Sequence, residues 1–251
     1  MAPVHERSNG RQKTAKRTHR GTPDSPIGHA ADDSGCAPDS LHAVLITIRN
    51  FALAGPGISD NPGDYVSDLR VQLECRPEDG PDRMVGMIRG HIVDMERAVR
   101  ARRFPLFDLY DEHSQELSDV WFALHQSSGE LKPAVRKLLG GTPHNRNVLV
   151  LGISEIEPAH RGRSLGLYAA GQVIEALKST CTIAVGQPYP MQFGPCGEDP
   201  EWMQDFGAGL GGDLESGLRK LRGYWGRLGF RSIPGSTFCV LNTHNLRLVA
   251  R

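Results

Sequence analysis

The stretch that decides the fold is Asn147–Val185, which reads NVLVLGISEIEPAHRGRSLGLYAAGQVIEALKSTCTIAV. It begins with the most apolar strand pattern of the chain, Asn147–Ile156, whose first half does not alternate, as in a strand covered on both faces. A helical pattern follows over Leu165–Ser179, and a second buried strand over Thr180–Val185. This order predicts a βαβ unit whose two strands are parallel neighbours in a mixed sheet.

Further strand and helix patterns flank this unit on both sides. Strand patterns cover Leu41–Leu53, Tyr65–Cys75 and Arg83–Asp94, and Gly- and Pro-rich turns separate them, so they predict an antiparallel meander. A helix at about Leu214–Leu228 and a strand at about Ser236–Leu241 follow the unit. The sequence therefore predicts an α/β (α+β) fold, with a mostly antiparallel central sheet, parallel fourth and fifth strands, and flanking helices.

The remaining segments predict a tail and two insertions. Residues 1–20 carry six Lys or Arg residues against Glu6 alone, and the chain up to residue 40 has few large apolar residues, so residues 1–40 are expected to be a disordered basic tail. A solvated leader is the favoured interpretation, and a basic arm for nucleic acid or an acidic partner is the alternative. Residues 41–251 are expected to form the domain, with a helical insertion at about 104–139 and a loop insertion at about 187–212.

Composition argues against several classes of protein. The 29 basic residues balance 29 acidic ones, whereas a dedicated nucleic-acid-binding domain has a basic excess. No apolar run approaches the roughly 20 residues that cross a bilayer, and no hydrophobic segment follows the first charges as in a secretory signal. The five cysteines contain no C-x-x-C pair. We therefore expect reduced thiols in a cytoplasmic protein without membrane, zinc or other metal partners.

The loop Pro158–Leu167, PAHRGRSLGL, is the segment that points to chemistry. It lies between a buried strand and a helix, where backbone N–H groups and the positive end of the helix dipole favour an anion. Arg161 and Arg163 add positive charge there. The pattern is neither the glycine fingerprint of dinucleotide-binding folds nor a P-loop. The loop therefore predicts a diphosphate site of another kind.

Two segments resemble motifs of the GNAT superfamily of acyl-CoA N-acyltransferases. Arg161–Gly166, RGRSLG, resembles the family's R/Q-x-x-G-x-G/A loop, and Tyr224–Phe230, YWGRLGF, resembles its Y-x-x-L-G-F segment, which ends the fourth helix. The resemblance covers roughly residues 145–241. It implies that the two parallel strands splay apart to admit the pantetheine arm of acetyl-CoA or another acyl-CoA.

The resemblance also implies which residues bind and react. Backbone groups of Ile156 and Glu157, after a bulge in the strand, would bind the pantetheine arm. The loop would hold the pyrophosphate through Arg161, Gly162, Arg163, Ser164, Leu165 and Gly166. Ser164 stands where the motif usually has its first glycine, and Trp225 stands where the family has a tyrosine as general acid. Tyr224 beside it is therefore the candidate acid, and solvent is the alternative.

The implied reaction is direct transfer of the acyl group to a small-molecule or peptide amine, which requires a base. Glu155 and Glu157 are the candidate bases, although a solvated strand end is the favoured interpretation of both. The earlier strand positions, where the family often has its base, are apolar here. Dimers are common in the family, so a homodimer is among the expected states. A catalytically silent GNAT-like module that binds CoA or a partner is the alternative function.

Three other features have a structural and a chemical interpretation. Asp111, His113 and Ser114 start a predicted helix, where capping of backbone N–H groups is favoured over a nucleophilic role. His160 is interpreted as a loop residue rather than a base. Cys181 is interpreted as a core residue rather than a nucleophile.

Overall fold

The structure is a computed structural model that describes residues 41–49, 59–76, 81–190 and 213–248. All of these residues belong to one unit of the chain, Gly35–Arg251. The predicted tail, residues 1–40, and residues 191–212 of the predicted loop insertion lie outside the described residues.

The described residues form seven strands and six α-helices. The strands are β1 Leu41–Arg49, β2 Val66–Cys75, β3 Arg83–Val93, β4 Val148–Ile156, β5 Ile183–Gly186, β6 Arg231–Ser232 and β7 Cys239–Asn242. The helices are α1 Met95–Ala101, α2 Asp108–Asp111, α3 Gln115–Leu124, α4 Pro133–Leu139, α5 Leu165–Leu177 and α6 Leu214–Gly226.

The strands form one mixed sheet in the order β1-β2-β3-β4-β5-β7-β6. Strands β4 and β5 are parallel, and every other neighbouring pair is antiparallel. The predicted fold class is thereby confirmed. Strand β5 begins at Ile183 rather than Thr180, because the N–H groups of Thr180 and Cys181 still donate to the carbonyl of Leu177, at 2.9 and 2.8 Å, in the turn that ends α5.

Two apolar cores cover the two faces of the sheet. Leu149 and Leu151 of β4 pack in the core that contains α5 and part of α6, whereas Val148 and Val150 pack in the core that contains α1–α4. Successive side chains of a strand point to opposite faces, so the sheet lies between two helical layers. Burial on both faces explains why the first half of β4 is continuously apolar.

The helical layer between β3 and β4 is longer than the sequence suggested. It begins at Met95 rather than near residue 104, because Asp94 caps α1 by accepting a hydrogen bond from Arg97 N at 3.1 Å. Ser114 caps α3 through Leu117 N at 3.2 Å, which confirms its predicted capping role. No helix in the described ranges is long and apolar enough to cross a membrane.

The prediction of five reduced cysteines is wrong for Cys75. This residue is disulfide-bonded, and the described cysteines Cys181 and Cys239 are free and buried. Sequence spacing cannot show which distant cysteines meet in the fold. The predicted cytoplasmic location therefore loses the support that reduced thiols would give it. Cys181 is fully buried in the core, as expected, and burial raises its thiol pKa to about 12.

His125 gives the helical layer a pH-dependent stability. Its ring stacks on Trp121 with centroids 4.4 Å apart, and its Nδ1 lies 3.1 Å from the Gly129 carbonyl oxygen, to which it donates when it carries a proton. Burial lowers its pKa to about 4, from an ordinary value of 6.5. The native histidine is therefore neutral between these values, whereas the unfolded chain takes up a proton.

We expect the free energy of unfolding to fall by about 3 kcal/mol through His125 as pH decreases from 6.5 to 4. Urea unfolding at several pH values measures this loss. Other groups also titrate in this window, so the His125→Asn variant is the control. Its stability should depend less on pH, and an unchanged pH dependence would contradict the prediction.

Candidate functional site

The parallel strands β4 and β5 pair over four residues each, and beyond these residues they are no longer paired. Pairing runs from Val148 with Ile183 to Leu151 with Gly186, the last residue of β5, whereas β4 continues to Ile156. Backbone groups in the second half of β4 therefore lack β5 as a partner. This leaves an opening in the sheet beside the end of β4.

A β-bulge lies at the start of this opening. Ile88 of β3 pairs with Ser154 and Gly90 pairs with Leu151, so two β4 residues, Gly152 and Ile153, stand opposite one β3 residue. The resemblance to the acyltransferase motifs predicts that the backbone groups for the pantetheine arm follow a bulge, at Ile156 and Glu157. Glu157 N donates to Val85 O of β3 at 3.0 Å. Because backbone groups alternate in direction along a strand, Ile156 N–H faces the opening instead.

The loop after β4 leads directly to the N-terminus of α5. Arg161 Nε donates to Ile156 O at 3.0 Å, which ties the loop to the strand end. Gly162 and Ser164 have left-handed φ values of 77° and 59°, and such turns direct successive N–H groups toward one side. Ser164 makes no side-chain cap on α5. The N–H groups of Leu165 and Gly166, the first two of this helix, therefore receive no cap from the Ser164 side chain.

Positive charge from two segments meets at this helix start. Arg163 is exposed in the loop, and Arg227, which follows α6, donates from Nη1 to Ser164 Oγ at 2.9 Å. Together with Arg161 they surround a helix end that already favours anions. The sequence pattern of the loop indicated Arg161 and Arg163 but not Arg227, which lies in the separate YWGRLGF segment.

Tyr224 reaches the same place from α6. Its hydroxyl oxygen accepts a hydrogen bond from Leu167 N at 3.0 Å, so the phenol can still donate its own proton. Burial raises the pKa of Tyr224, although the Leu167 bond and Arg227 lower it in part. Trp225 instead packs its indole against Gly186 and Phe230 in the core. Tyr224 therefore contacts the start of α5, whereas Trp225, which occupies the position of the family's tyrosine, does not.

Gly166 lies at a place where α5, α6 and β4 come close together. A Cβ at this position would lie 3.0 Å from Tyr224 Oη and 3.5 Å from Ser154 Oγ. The absent side chain therefore keeps open the space between the helix start and the strand end.

The two carboxylates proposed as bases, Glu155 and Glu157, have different neighbours. Glu155 pairs with Met87 across β3 and β4. Glu157 follows the strand, and its Oε2 lies 2.9 Å from Arg83 Nη2 and 3.4 Å from His160 Nδ1. Glu157 is therefore held in an ion pair at the strand end.

His160 is buried under the loop rather than exposed in it. Its side chain is 5% exposed, and neither ring nitrogen has a hydrogen-bond partner among the described residues, because the approach to Glu157 is poorly aligned. Burial lowers its pKa, although Glu157 raises it in part. This position fits a packing role for the ring.

The carboxylate that lies beside the bulge, Glu116 of α3, was not among the candidate residues indicated by the sequence. A Cβ at Gly152 would lie 2.8 Å from Glu116 Oε1. No described residue makes a hydrogen bond or ion pair with this carboxylate. Burial raises the pKa of Glu116, and Asp119 raises it further. Only the folding of α3 onto β4 brings this glutamate to the strand, so no motif in the sequence indicates it.

Glu116 also lines a cavity of about 440 Å³ on the α3 side of the sheet. The other side chains and backbone around it come from β1, β2 and β3: Arg49, Asp68, Leu69, Arg70, Arg89, Gly90 and His91. A second cavity, of about 430 Å³, lies between α4 and the β6–β7 edge. Its lining contains no carboxylate, histidine or cysteine, so it offers no acid–base chemistry.

Comparisons of the chain with protein-family models, with curated proteins and with solved structures find no significant match. Functional arguments for this chain therefore rest on its own residues.

Proposed function

We propose that the protein is an acyl-CoA-dependent N-acyltransferase. Its co-substrate would be acetyl-CoA or another acyl-CoA, and its acceptor a small-molecule or peptide amine. The observation that supports this most is the position of the bulged, partly unpaired end of β4 directly beside the N-terminus of α5, which Ser164 does not cap. The two are so close that a Cβ at Gly166 would lie 3.5 Å from Ser154 Oγ.

Each part of CoA has a suitable place in this arrangement. The pyrophosphate would bind at the start of α5, where Leu165 and Gly166 begin the helix and Arg163 and Arg227 supply charge. The pantetheine arm would enter the opening and accept a hydrogen bond from Ile156 N–H. The thioester would then reach the bulge at Gly152.

The acceptor would approach the bulge from the opposite face of the sheet. The cavity beside Glu116 opens there, and Glu116 is within contact of the space that a side chain at Gly152 would fill. Its raised pKa suits a general base, because a stronger base takes the proton of an ammonium group more readily. Glu116 would thus be the general base, since the residues of β4 from Val148 to Ile153 cannot accept a proton.

The reaction would proceed by direct attack. Glu116 takes the proton of the ammonium group and releases it to solvent, and the neutral amine nitrogen then forms a bond to the thioester carbon. The nitrogen passes a second proton to Glu116 in this step, and a backbone N–H at the bulge stabilises the oxyanion. The tetrahedral intermediate breaks its C–S bond, and the thiolate of CoA takes a proton that Tyr224 supplies through bridging water. Solvent then returns a proton to Tyr224 and removes one from Glu116.

An assay of CoA release tests the proposed activity. The full chain would be incubated with acetyl-CoA and a panel of acidic, neutral and basic primary amines, and free CoA would be measured by chromatography. Release that depends on one class of amine supports the proposal. Binding of acetyl-CoA without release for any amine would contradict it and would support the catalytically silent module.

Charge reversal at Arg163 should weaken acyl-CoA binding. We expect Arg163→Glu to raise the Kd for acetyl-CoA about tenfold, because it places a negative charge beside the pyrophosphate. Arg219→Glu is the matched control, since Arg219 is exposed on α6 beside Glu215. Equal Kd values for the two variants would contradict the assigned position of the pyrophosphate.

Removal of the Tyr224 hydroxyl should slow turnover and spare binding. We expect Tyr224→Phe to lower kcat about tenfold, because solvent can replace the phenol as the acid only in part. Tyr65→Phe is the control, since it removes a buried phenol that donates to Ser59 O at the opposite end of the sheet. An unchanged kcat in Tyr224→Phe would exclude this tyrosine as the acid.

A further inference from the structure

Three potential metal ligands meet on the α3 side of the sheet. Asp68 lies on β2, His91 on β3, and His113 in the turn before α3. Asp68 Oδ1 lies 3.1 Å from His91 Nδ1 and 3.4 Å from His113 Nε2. One ligand atom from each residue lies within 4.8 Å of the other two. All three side chains are partly buried, so they are held by the fold and still reachable from solvent.

These separations match the requirements of a transition-metal ion. Two ligands at about 2.0–2.1 Å from a tetrahedral zinc ion lie roughly 3.4 Å from each other. Both separations from Asp68 Oδ1 are close to that value, and the two imidazole nitrogens lie within 4.8 Å of each other. The two imidazole rings lie edge to face, with centroids 4.8 Å apart and planes at 79°. They therefore do not stack, and their nitrogens approach the carboxylate from different directions.

We propose that Asp68, His91 and His113 bind a divalent transition-metal ion such as Zn²⁺, with at least one coordination position left for water or a ligand. Two imidazoles and one carboxylate favour Zn²⁺ and similar ions over Mg²⁺ and Ca²⁺, which prefer oxygen ligands. This site lies apart from the α5 end of the sheet, but it borders the same cavity that the acceptor amine would enter. The inference goes beyond the proposed acyl transfer and does not depend on it.

The surroundings indicate what the remaining coordination position would bind. Asp68 and His91 line the cavity that Glu116 also borders. Arg49, Arg70 and Arg89 line it as well. None of these arginines is ion-paired with a described carboxylate. A ligand that reaches the metal through this cavity would meet three guanidinium groups, so a carboxylate or phosphate group is the chemistry that fits.

Sequence patterns gave no indication of this site. Asp68 and His91 are brought together by the pairing of β2 with β3, where they stand directly opposite each other. His113 joins them only because α3 packs on that face. Ligands on three separate elements leave no short motif such as C-x-x-C.

Metal titration of the full chain tests the proposal. After treatment with a chelator, the protein would be titrated with Zn²⁺ by calorimetry, and with Co²⁺ by absorption spectroscopy, which reports coordination geometry. We expect one tight site whose affinity falls at least tenfold in His113→Ala and in Asp68→Asn. Thermal unfolding of each variant would confirm that it is folded.

The matched control is His144→Ala. His144 and His244 form another pair of neighbouring histidines, with ring centroids 5.5 Å apart, and both are exposed. The tight site should persist in this variant. Equal Zn²⁺ affinity in wild type and in both cluster variants would overturn the proposal, because it would show that the metal binds elsewhere. Failure of wild type to bind Zn²⁺ more tightly than Mg²⁺ would overturn it as well.

Inorganic phosphate tests the open coordination position. Its addition to the Co²⁺-loaded protein should change the visible spectrum, because an anion would replace water on the metal. The same addition to His144→Ala should give the same change. A spectrum that stays constant at saturating phosphate would contradict an anion-accessible metal.

Discussion

Gly166→Val is expected to weaken acetyl-CoA binding by about two orders of magnitude, or roughly 3 kcal/mol. The valine Cβ would lie 3.0 Å from Tyr224 Oη, and its methyl groups would fill the space between α5 and Ser154. That space is where the pyrophosphate would approach the helix N–H groups. Calorimetry with acetyl-CoA measures the loss, and the melting temperature reports whether the fold is retained.

Gly171→Ala is the control for this prediction. Gly171 lies on the same helix, and a Cβ there would make ordinary contacts of 3.5 Å with Leu228 and 3.6 Å with Leu248. Alanine also favours the helix over glycine. Binding should therefore be unchanged in Gly171→Ala. If Gly166→Val binds acetyl-CoA as tightly as this control does, the ligand does not use the start of α5.

Glu116→Gln is expected to lower kcat about a hundredfold, since general-base catalysis typically contributes that much or more. The amide cannot accept the amine proton, although its size is nearly the same. In wild type, activity should rise with pH as Glu116 loses its proton. Because the pKa of Glu116 is raised, this rise should occur at a higher pH than it would for an ordinary glutamate. The rise should disappear in Glu116→Gln. Rate measurements across pH with the best amine give both results.

If Glu116 mainly stabilised the fold, Glu116→Gln would lower the free energy of unfolding, and we expect that it does not. Burial disfavours the charged carboxylate, so Glu116→Gln should be at least as stable as wild type in urea unfolding. Glu112→Gln, at an exposed position before α3, should leave rate and pH profile unchanged. A Glu116→Gln variant that keeps both the wild-type kcat and the wild-type pH profile would exclude Glu116 as the base.

Local patterns in the sequence predicted the parts of the fold that depend on local physics. The continuous apolar run from Val148 to Leu151 indicated a strand buried on both faces, and it is one. The capping role of Ser114 followed from the preference of serine for helix starts. The early start of the helical layer was missed because α1 is short and rich in arginine, so its apolar face is weak.

Contacts between distant segments could not be predicted in the same way. Glu116 reaches Gly152, and Arg227 reaches Ser164, only after the helices pack on the sheet. The bulge at Gly152 likewise depends on how β3 and β4 pair, and the motif indicated only the backbone groups that follow a bulge, at Ile156 and Glu157. The loop at α5 was visible because its arginines and glycines are adjacent in sequence. The base and the metal ligands were not, because each comes from a different element.

The most direct test of the central claim is calorimetric titration of the full chain with acetyl-CoA. The proposed function predicts one molecule bound per chain with a Kd in the micromolar range, because the pyrophosphate meets both a helix N-terminus and several arginines. Absence of binding at high micromolar acetyl-CoA would contradict it.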